Sequence, residues 1–554
     1  MSAMPPPPSS SAPHNNLLTD DPANPDTARA APPRSWAALE PLTAPTFRLL
    51  WITWVAANTC MWMNDVAAAW MMTSLTTSPV MVALVQSAST LPVFLLGLPS
   101  GALADILDRR RYFIFTQLWV AVVAMLLCVA ILSDWIDAPM LLALTFLNGI
   151  GLAMRWPVFS AIVPELVTRS QLPAAMGLNG IAMNASRIIG PLVAGAVIAS
   201  AGSHWVFVLN AILSVASAIV ITRWKRTVAP NPLGRERLAS AMRVGMQFVR
   251  QSPRMRAVLV RVAVFFLHST ALLALLPLIA RALPGGDAGT FTLLLASMGA
   301  GAIVGALLLP QLRHRLRRDM LVRLGTCVTS AATIAVAFAP TIWIATPAMA
   351  LAGLAWLCTA NSLATSAQLA LPDWVRARGM SMYQMSIMGA TALGAAFWGQ
   401  TASLVGLHAG LTAAGISGVV VMLAVQYFLA DHSREEDLTP SQAFTAPVAA
   451  TPPEHGRVQV SIEFRIDPAR AADFRLLMQE SRRSRLRQGA LEWHLLHDVH
   501  DPACYVEQIT DESWTEHLRR FTRVTAWDVA LRDRKLAFHL GDGPPVVHRR
   551  IIDR

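Results

Sequence analysis

Apolar stretches long enough to cross a lipid bilayer recur twelve times along this chain, and that pattern excludes almost every other class of fold. A helix needs about 20 residues to span the hydrocarbon core. Stretches of that order run at 46–74, 79–104, 112–133, 139–163, 176–200, 205–223, 256–281, 290–312, 320–340, 342–366, 380–405 and 409–430. Composition agrees: 54% of the 554 residues are hydrophobic and 14% are charged, whereas soluble domains carry roughly 25% charged residues. So few charges are tolerated when lipid is the solvent and helices satisfy their own backbone polar groups.

The formal charge of +11 comes almost wholly from arginine, Lys225 and Lys535 being the two lysines. High basicity often marks nucleic-acid binding. Here the arginines sit in short loops between apolar stretches, so they report topology and no nucleic-acid partner is expected. One set of loops carries Arg109–Arg111, Arg169, Arg223 to Arg256, Arg313 to Arg323, and Arg376 with Arg378; the opposite set, such as Thr76-Thr77-Ser78 and Ala201-Gly202-Ser203, is bare. The positive-inside rule then places both termini in the cytoplasm of a multi-pass cell (inner) membrane protein.

This divides the chain into a Pro/Ser/Ala-rich disordered cytoplasmic tail (1–45), an N-terminal six-helix half (46–223) and a basic cytoplasmic connector (224–255). A C-terminal six-helix half (256–430), a Pro-rich linker (431–457) and a cytoplasmic α+β domain (458–554) follow. The halves repeat each other. Gly305 opens a loop approach 204 residues after the similar one at Gly101, and Pro372-Asp-Trp-Val follows Pro164-Glu-Leu-Val by 208. Matched loops at one offset mark a parallel duplication, the plan of transporters whose halves rock about a midplane site. The five cysteines have unrelated spacings, which supports neither a disulfide framework nor a zinc site.

At these residues the chain resembles the major facilitator superfamily, over roughly 40–430. Its loop signature appears as Gly101, Leu103, Ala104, Asp105, Arg109 and Arg110, with Ile106 and Asp108 in place of an Arg and a Gly. Asp at that late position is similar to the drug-efflux branch that includes enterobactin exporters and macrolide efflux proteins. An antiporter motif appears in helix five as Gly177, Ser186, Gly190, Pro191, Ala194 and Gly195, and Thr145 replaces the helix-four Arg of the family. The resemblance implies an all-α membrane fold of twelve helices, a gate latch at Asp105, Arg109 and Arg110, and export.

Charged and polar side chains inside lipid are costly and tend to line the path of transport. Asp65 shares a helix face with Asn58 and Trp62, as a proton-titrating or substrate-facing acid; Asn184 and Arg187 lie on helix five, and Arg155 on helix four shares a face with Asn148. Each Arg is read either as a partner for an anionic or catechol-like group or as a structural tie. His268, Trp356, Asn361, Tyr383 and Gln384 are candidates to line the cavity, or to pack between helices.

After helix twelve, Val458, Val460, Ile462, Phe464 and Ile466 alternate with polar residues as a strand. Asp467-Pro468 opens a helix ending near Gly489, two strands follow near Leu491–Leu496 and Tyr505–Ile509, and Ser513 caps a second helix. The order βαββα resembles the ferredoxin-like fold of antibiotic-biosynthesis monooxygenases. Residues three apart face opposite sides of a strand, so His494, His497 and His500 do not suggest a metal site. Nor does any nucleophile–base pair, phosphate loop or cofactor motif appear: no enzyme, cofactor or ATP-driven transport is expected. The reading is a secondary transporter, proton-coupled, exporting an amphiphilic small molecule such as a siderophore or antibiotic. The alternatives are an importer, or a membrane-anchored enzyme or sensor acting through the C-terminal domain. The linker is expected to couple that domain loosely, and its open sheet to pair in a homodimer.

Overall fold

A computed structural model describes residues 37–168, 171–222, 238–429, 436–447 and 456–552. The tail expected at 1–45 lies mostly outside them, its end forming a 3-10 helix, Ala37–Thr43. Every apolar stretch is one helix: α1 Pro45–Leu75, α2 Pro79–Ile106, α3 Arg109–Leu132, α4 Ala138–Leu166, α5 Leu172–Ala201, α6 Ser203–Thr222, α8 Pro253–Ala282, α9 Ala288–Arg315, α10 Arg318–Ala337, α11 Ile342–Leu369, α12 Arg376–Val405 and α13 Leu407–Phe428. Prolines begin α1, α2 and α8, where a fixed φ and a missing N–H suit the first turn. Between the halves, α7 (Leu238–Gln251) is an additional amphipathic helix inside the connector.

Among the described residues, ten of the twelve long helices are apolar enough to cross a membrane by length and composition. The exceptions, α1 and α12, carry Asn58, Asn64 and Asp65, and Arg376, Arg378, Gln384 and Gln400. In α1 Asn58 and Asn64 face other helices, each 1% exposed, whereas Arg376 and Gln400 of α12 are exposed. The duplication reaches into the turns. Gly202 between α5 and α6 has φ 93° and Gly406 between α12 and α13 has φ 91°, a left-handed conformation in which any other residue is strained. They are 204 residues apart, the offset of the loop repeat.

The C-terminal domain runs β1 (Arg457–Arg465), a 3-10 turn and α14 (Ala471–Arg487), β2 (Glu492–His497), β3 (Cys504–Asp511), α15 (Trp514–Phe521), α16 (Ala526–Leu536) and β4 (Val546–Ile552). Its four strands order β2-β3-β1-β4 with every pair antiparallel, the ferredoxin-like arrangement. The fourth strand escapes the sequence reading because Val546-Val-His-Arg-Arg-Ile-Ile552 does not alternate, and each of its residues is exposed.

Glu507 on β3 is fully buried at the centre of this domain. Its carboxylate accepts from Ser481 Oγ (2.6 Å), Trp493 Nε1 (3.0 Å) and Lys535 Nζ (3.1 Å), with Arg485 Nε at 3.4 Å. Burial alone would push the acid up; Lys535 and Arg485 outweigh it and hold the carboxyl well below the usual range. Burial pushes the Lys535 ammonium down to about 8, so the pair stays charged at neutral pH. A depressed carboxyl adds stability above its unfolded value, and that stability is lost as pH falls through the folded one. Acid below the ordinary carboxylate range should therefore loosen the domain. Glu507→Gln, which leaves Lys535 unmatched, should cost about 3–5 kcal/mol, read as lost hydrogen-exchange protection on β3. Unchanged protection would refute this.

Of the linker expected to couple the domain loosely, residues 436–447 are described, and part of that stretch packs on the domain. Residues 437–441 run along α16, with Trp527 N donating to Asp437 O (3.0 Å) and Ala526 N to Thr439 O (2.9 Å). Glu436 binds Arg487 through two hydrogen bonds at 2.5 and 3.0 Å. The domain then docks on α7. Arg243 reaches Glu512 (2.7 Å) and Gly489 O (3.2 Å), Gln247 reaches Ala490 O (3.2 Å), and Arg487 reaches Gln251 O (3.1 Å). Arg523 lies 5.3 Å from the ring of Trp374, in the turn between α11 and α12. The helix ends on this side form the domain end of the bundle; the opposite ends form the far end.

Candidate functional site

Three of the candidate residues meet at the centre. The Arg187 guanidinium lies over the ring of Trp356 at 3.7 Å and near that of Trp62 at 5.5 Å. Trp62 and Arg187 belong to the N-terminal half, Trp356 to the other, so the contact crosses between halves. Phe266 of α8 meets Trp356 edge-on at 5.6 Å. Among the described residues Arg187 has no hydrogen bond or ion pair. Two buried polar atoms on the adjoining face of α1 also lack partners, Trp62 Nε1 and Asn58 Oδ1.

Asp65 lies two turns from Asn58 toward the far end, partly buried, with Ser89 of α2 hydrogen-bonded to its carboxyl. It forms no ion pair among the described residues. Arg155 is 4% exposed; its Nη1 donates to Ala57 O (3.4 Å), and its cation lies 5.5 Å from the ring of Trp54. It thereby ties α4 to α1. The Asn184 side chain lies outside the described ones, as do Asp105 and Gly101 of the gate motif.

Other candidates point elsewhere. His268 bonds back to Val264 O (2.7 Å) and lines a small cavity of about 10 Å³ with Thr329, Thr333 and Gly418, between α8, α10 and α13. Tyr383 is 5% exposed and its hydroxyl meets Ala360 O of α11 at 3.5 Å. Asn361 is exposed toward the domain end and bonds within its own helix, and Gln384 is partly buried. In the gate motif, Asp108 caps α3 by accepting from Arg110 N (2.9 Å) and Arg111 N (3.1 Å), and Arg110 bonds Thr222 O of α6. A motif departure at Asp108 is thus a helix cap.

In the antiporter motif, Ser186 bonds Val55 O (3.2 Å) and Thr59 (3.1 Å) on α1. A Cβ on Gly190 would lie 2.5 Å from Trp62 Cβ, and one on Gly195 would lie 1.9 Å from Thr292 of α9. Pro191 sits within α5, and Gly177 faces open space. The far end holds a contact that sequence reasoning missed. Trp70 of α1 stacks on Phe291 of α9 at 5.8 Å, and Arg281 of α8 lies 5.1 Å from the Trp70 ring. An Arg and two aromatics near helix ends read as ordinary interfacial residues in sequence, so no signal singled them out.

Known proteins share this architecture. A bacterial homologue of the lysosomal transporter Spinster, inward-facing and occupied, aligns at TM-score 0.57 and 14% identity, over 70% of this chain and 97% of its own. The nucleoside transporter NupG aligns at TM-score 0.57 and 12% identity, over 69% of this chain and 99% of its own. Among relatives by sequence, the staphyloferrin A transporter of Staphylococcus aureus is 23% identical over 66% of this chain and 92% of its own length. The enterobactin exporter EntS of Salmonella typhi is 26% identical over 61% and 81%. The match to the MFS-type transporter YfiS of Bacillus subtilis, 27% identical, spans 32% of this chain and less than half (42%) of that protein. The profile of the family described as transmembrane secretion effector matches residues 36–554. Twelve long helices in two repeated halves and a match over nearly the whole sequence make this chain a member of the transmembrane secretion effector family of major facilitator transporters.

Proposed function

We propose that this chain exports an amphiphilic small molecule, a siderophore, antibiotic or drug, from the cytoplasm in exchange for protons, by alternating access. The observation that carries coupling is Asp65, an acid deep in α1 that forms no ion pair among the described residues. It lies ten residues from the end of α1, about 15 Å into the helix at 1.5 Å per residue. An intramembrane acid free of a counter-ion can take up and give back a proton as the halves rock. Relatives named as an enterobactin exporter and a macrolide efflux protein support export. The basic loops support a cytoplasmic placement of both termini and of the C-terminal domain in the cell (inner) membrane. The exposed strand β4 supports pairing of that domain in a homodimer.

Stacking of Trp70 on Phe291 and the seating of Gly195 on Thr292 support a state closed at the far end. Deletion of the gene should leave in the cells a small molecule that the wild type releases, and a protonophore should reproduce that retention. Unchanged release in both arms would overturn export driven by protons.

A further inference from the structure

We infer that Arg187, Trp62 and Trp356 form a recognition box for a flat aromatic anion, a carboxylate or phenolate, shared by the two halves; this rests on the reading of the chain as a transporter. A guanidinium in a membrane interior is costly without a counter-charge, and Arg187 has none among the described residues. Its neighbours are two indole rings, at 3.7 and 5.5 Å. Rings over a guanidinium attract the cation yet leave its in-plane N–H groups, the ones that pair with a carboxylate.

Two further groups await a ligand. Trp62 Nε1 is a buried donor without a partner. Asn58 is 1% exposed and its side-chain oxygen is unpartnered, one turn away on the same face of α1. An anion would take the Arg187 and Trp62 donors, while a hydroxyl on its ring would satisfy Asn58. The Trp356 ring meets Phe266 edge-on, and Gly190 packs closely on Trp62 at its Cβ. A cation would meet an uncompensated like charge.

The box also spans the boundary that moves. Arg187 and Trp62 belong to one half and Trp356 to the other, so an aromatic anion paired with the in-plane N–H groups of Arg187 lies against residues of both halves. Binding thereby acts on the contact that separates when the halves rock.

The test is equilibrium binding of labelled 2-naphthoate to the purified full chain, beside cyclohexanecarboxylate as the non-aromatic anion and 2-naphthylmethylammonium as the aromatic cation. Saturable binding in the order naphthoate, then cyclohexanecarboxylate, then the cation is expected. Arg187→Gln should weaken naphthoate binding at least tenfold, and Arg187→Lys less. Trp356→Leu should weaken it where Trp356→Phe does not. The inference is overturned if none of the three probes binds saturably, if the cation binds as well as naphthoate, or if a folded Arg187→Gln binds normally. The expected order in a protein that exports nothing would support the box and count against export instead.

Discussion

Asp65→Asn should abolish proton-driven export while leaving the protein folded and inserted. The replacement keeps size and shape and can still bond Ser89, so its effect on stability should stay within about 1 kcal/mol. What it removes is the one carboxyl group of α1. A carrier that cannot load or release a proton loses the gradient as a drive. It can still exchange substrate for substrate, because that half-cycle needs no net proton movement. Proteoliposomes carrying the variant should therefore show exchange without uphill export. Wild-type export with wild-type pH dependence would sink the assignment of Asp65.

Gly190→Leu should cost both thermal stability and transport, and Gly177→Leu neither. The two glycines belong to one motif on one helix, yet their surroundings are opposite. At Gly190 an added Cβ meets Trp62 Cβ at 2.5 Å and Thr59 O at 3.0 Å, whereas at Gly177 nothing lies within 4 Å. Overpacking a close helix contact costs about 1–3 kcal/mol, and here it also pushes Trp62 from its place beside Arg187. Ser186→Leu should behave like Gly190→Leu, since Ser186 is fully buried against α1. Melting temperatures of the purified variants, beside their transport rates, make the comparison. Equal tolerance at 177 and 190 would mean that α1 and α5 are not close-packed.

Membrane helices are the most legible part of such a sequence because one requirement, about 20 apolar residues, acts on each of them locally. The connector helix α7 was not legible: Val244, Phe248 and Val249 alternate with Arg243, Gln247 and Arg250, which reads as a basic loop until a partner surface is seen. Strand β4 was hidden for the same reason, since exposure of all its residues erases the alternation. At the site, sequence placed Asn58, Trp62 and Asp65 on one face because helical spacing is local. It could not place Trp356 against Arg187, or turn His268 toward Gly418, because both depend on how distant helices pack. Sequence showed Asp108 in the place of a motif glycine but not that its side chain caps α3.

Docking of the C-terminal domain on α7 has a consequence for the order in which the chain is made. Val244 is fully buried, and the backbone of Gly489 is among the surfaces that approach it. Synthesis proceeds at about 5–20 residues per second. Gly489 lies 245 residues downstream, so at that rate it emerges roughly 12–49 seconds after Val244. During that interval six more helices insert while α7, an amphipathic helix with arginines on its polar side, has the lipid surface as its nearest apolar phase. The segment that covers the connector helix is thus made after all six helices of the C-terminal half. A truncation sparing all twelve membrane helices would still leave that helix as it stood on the ribosome.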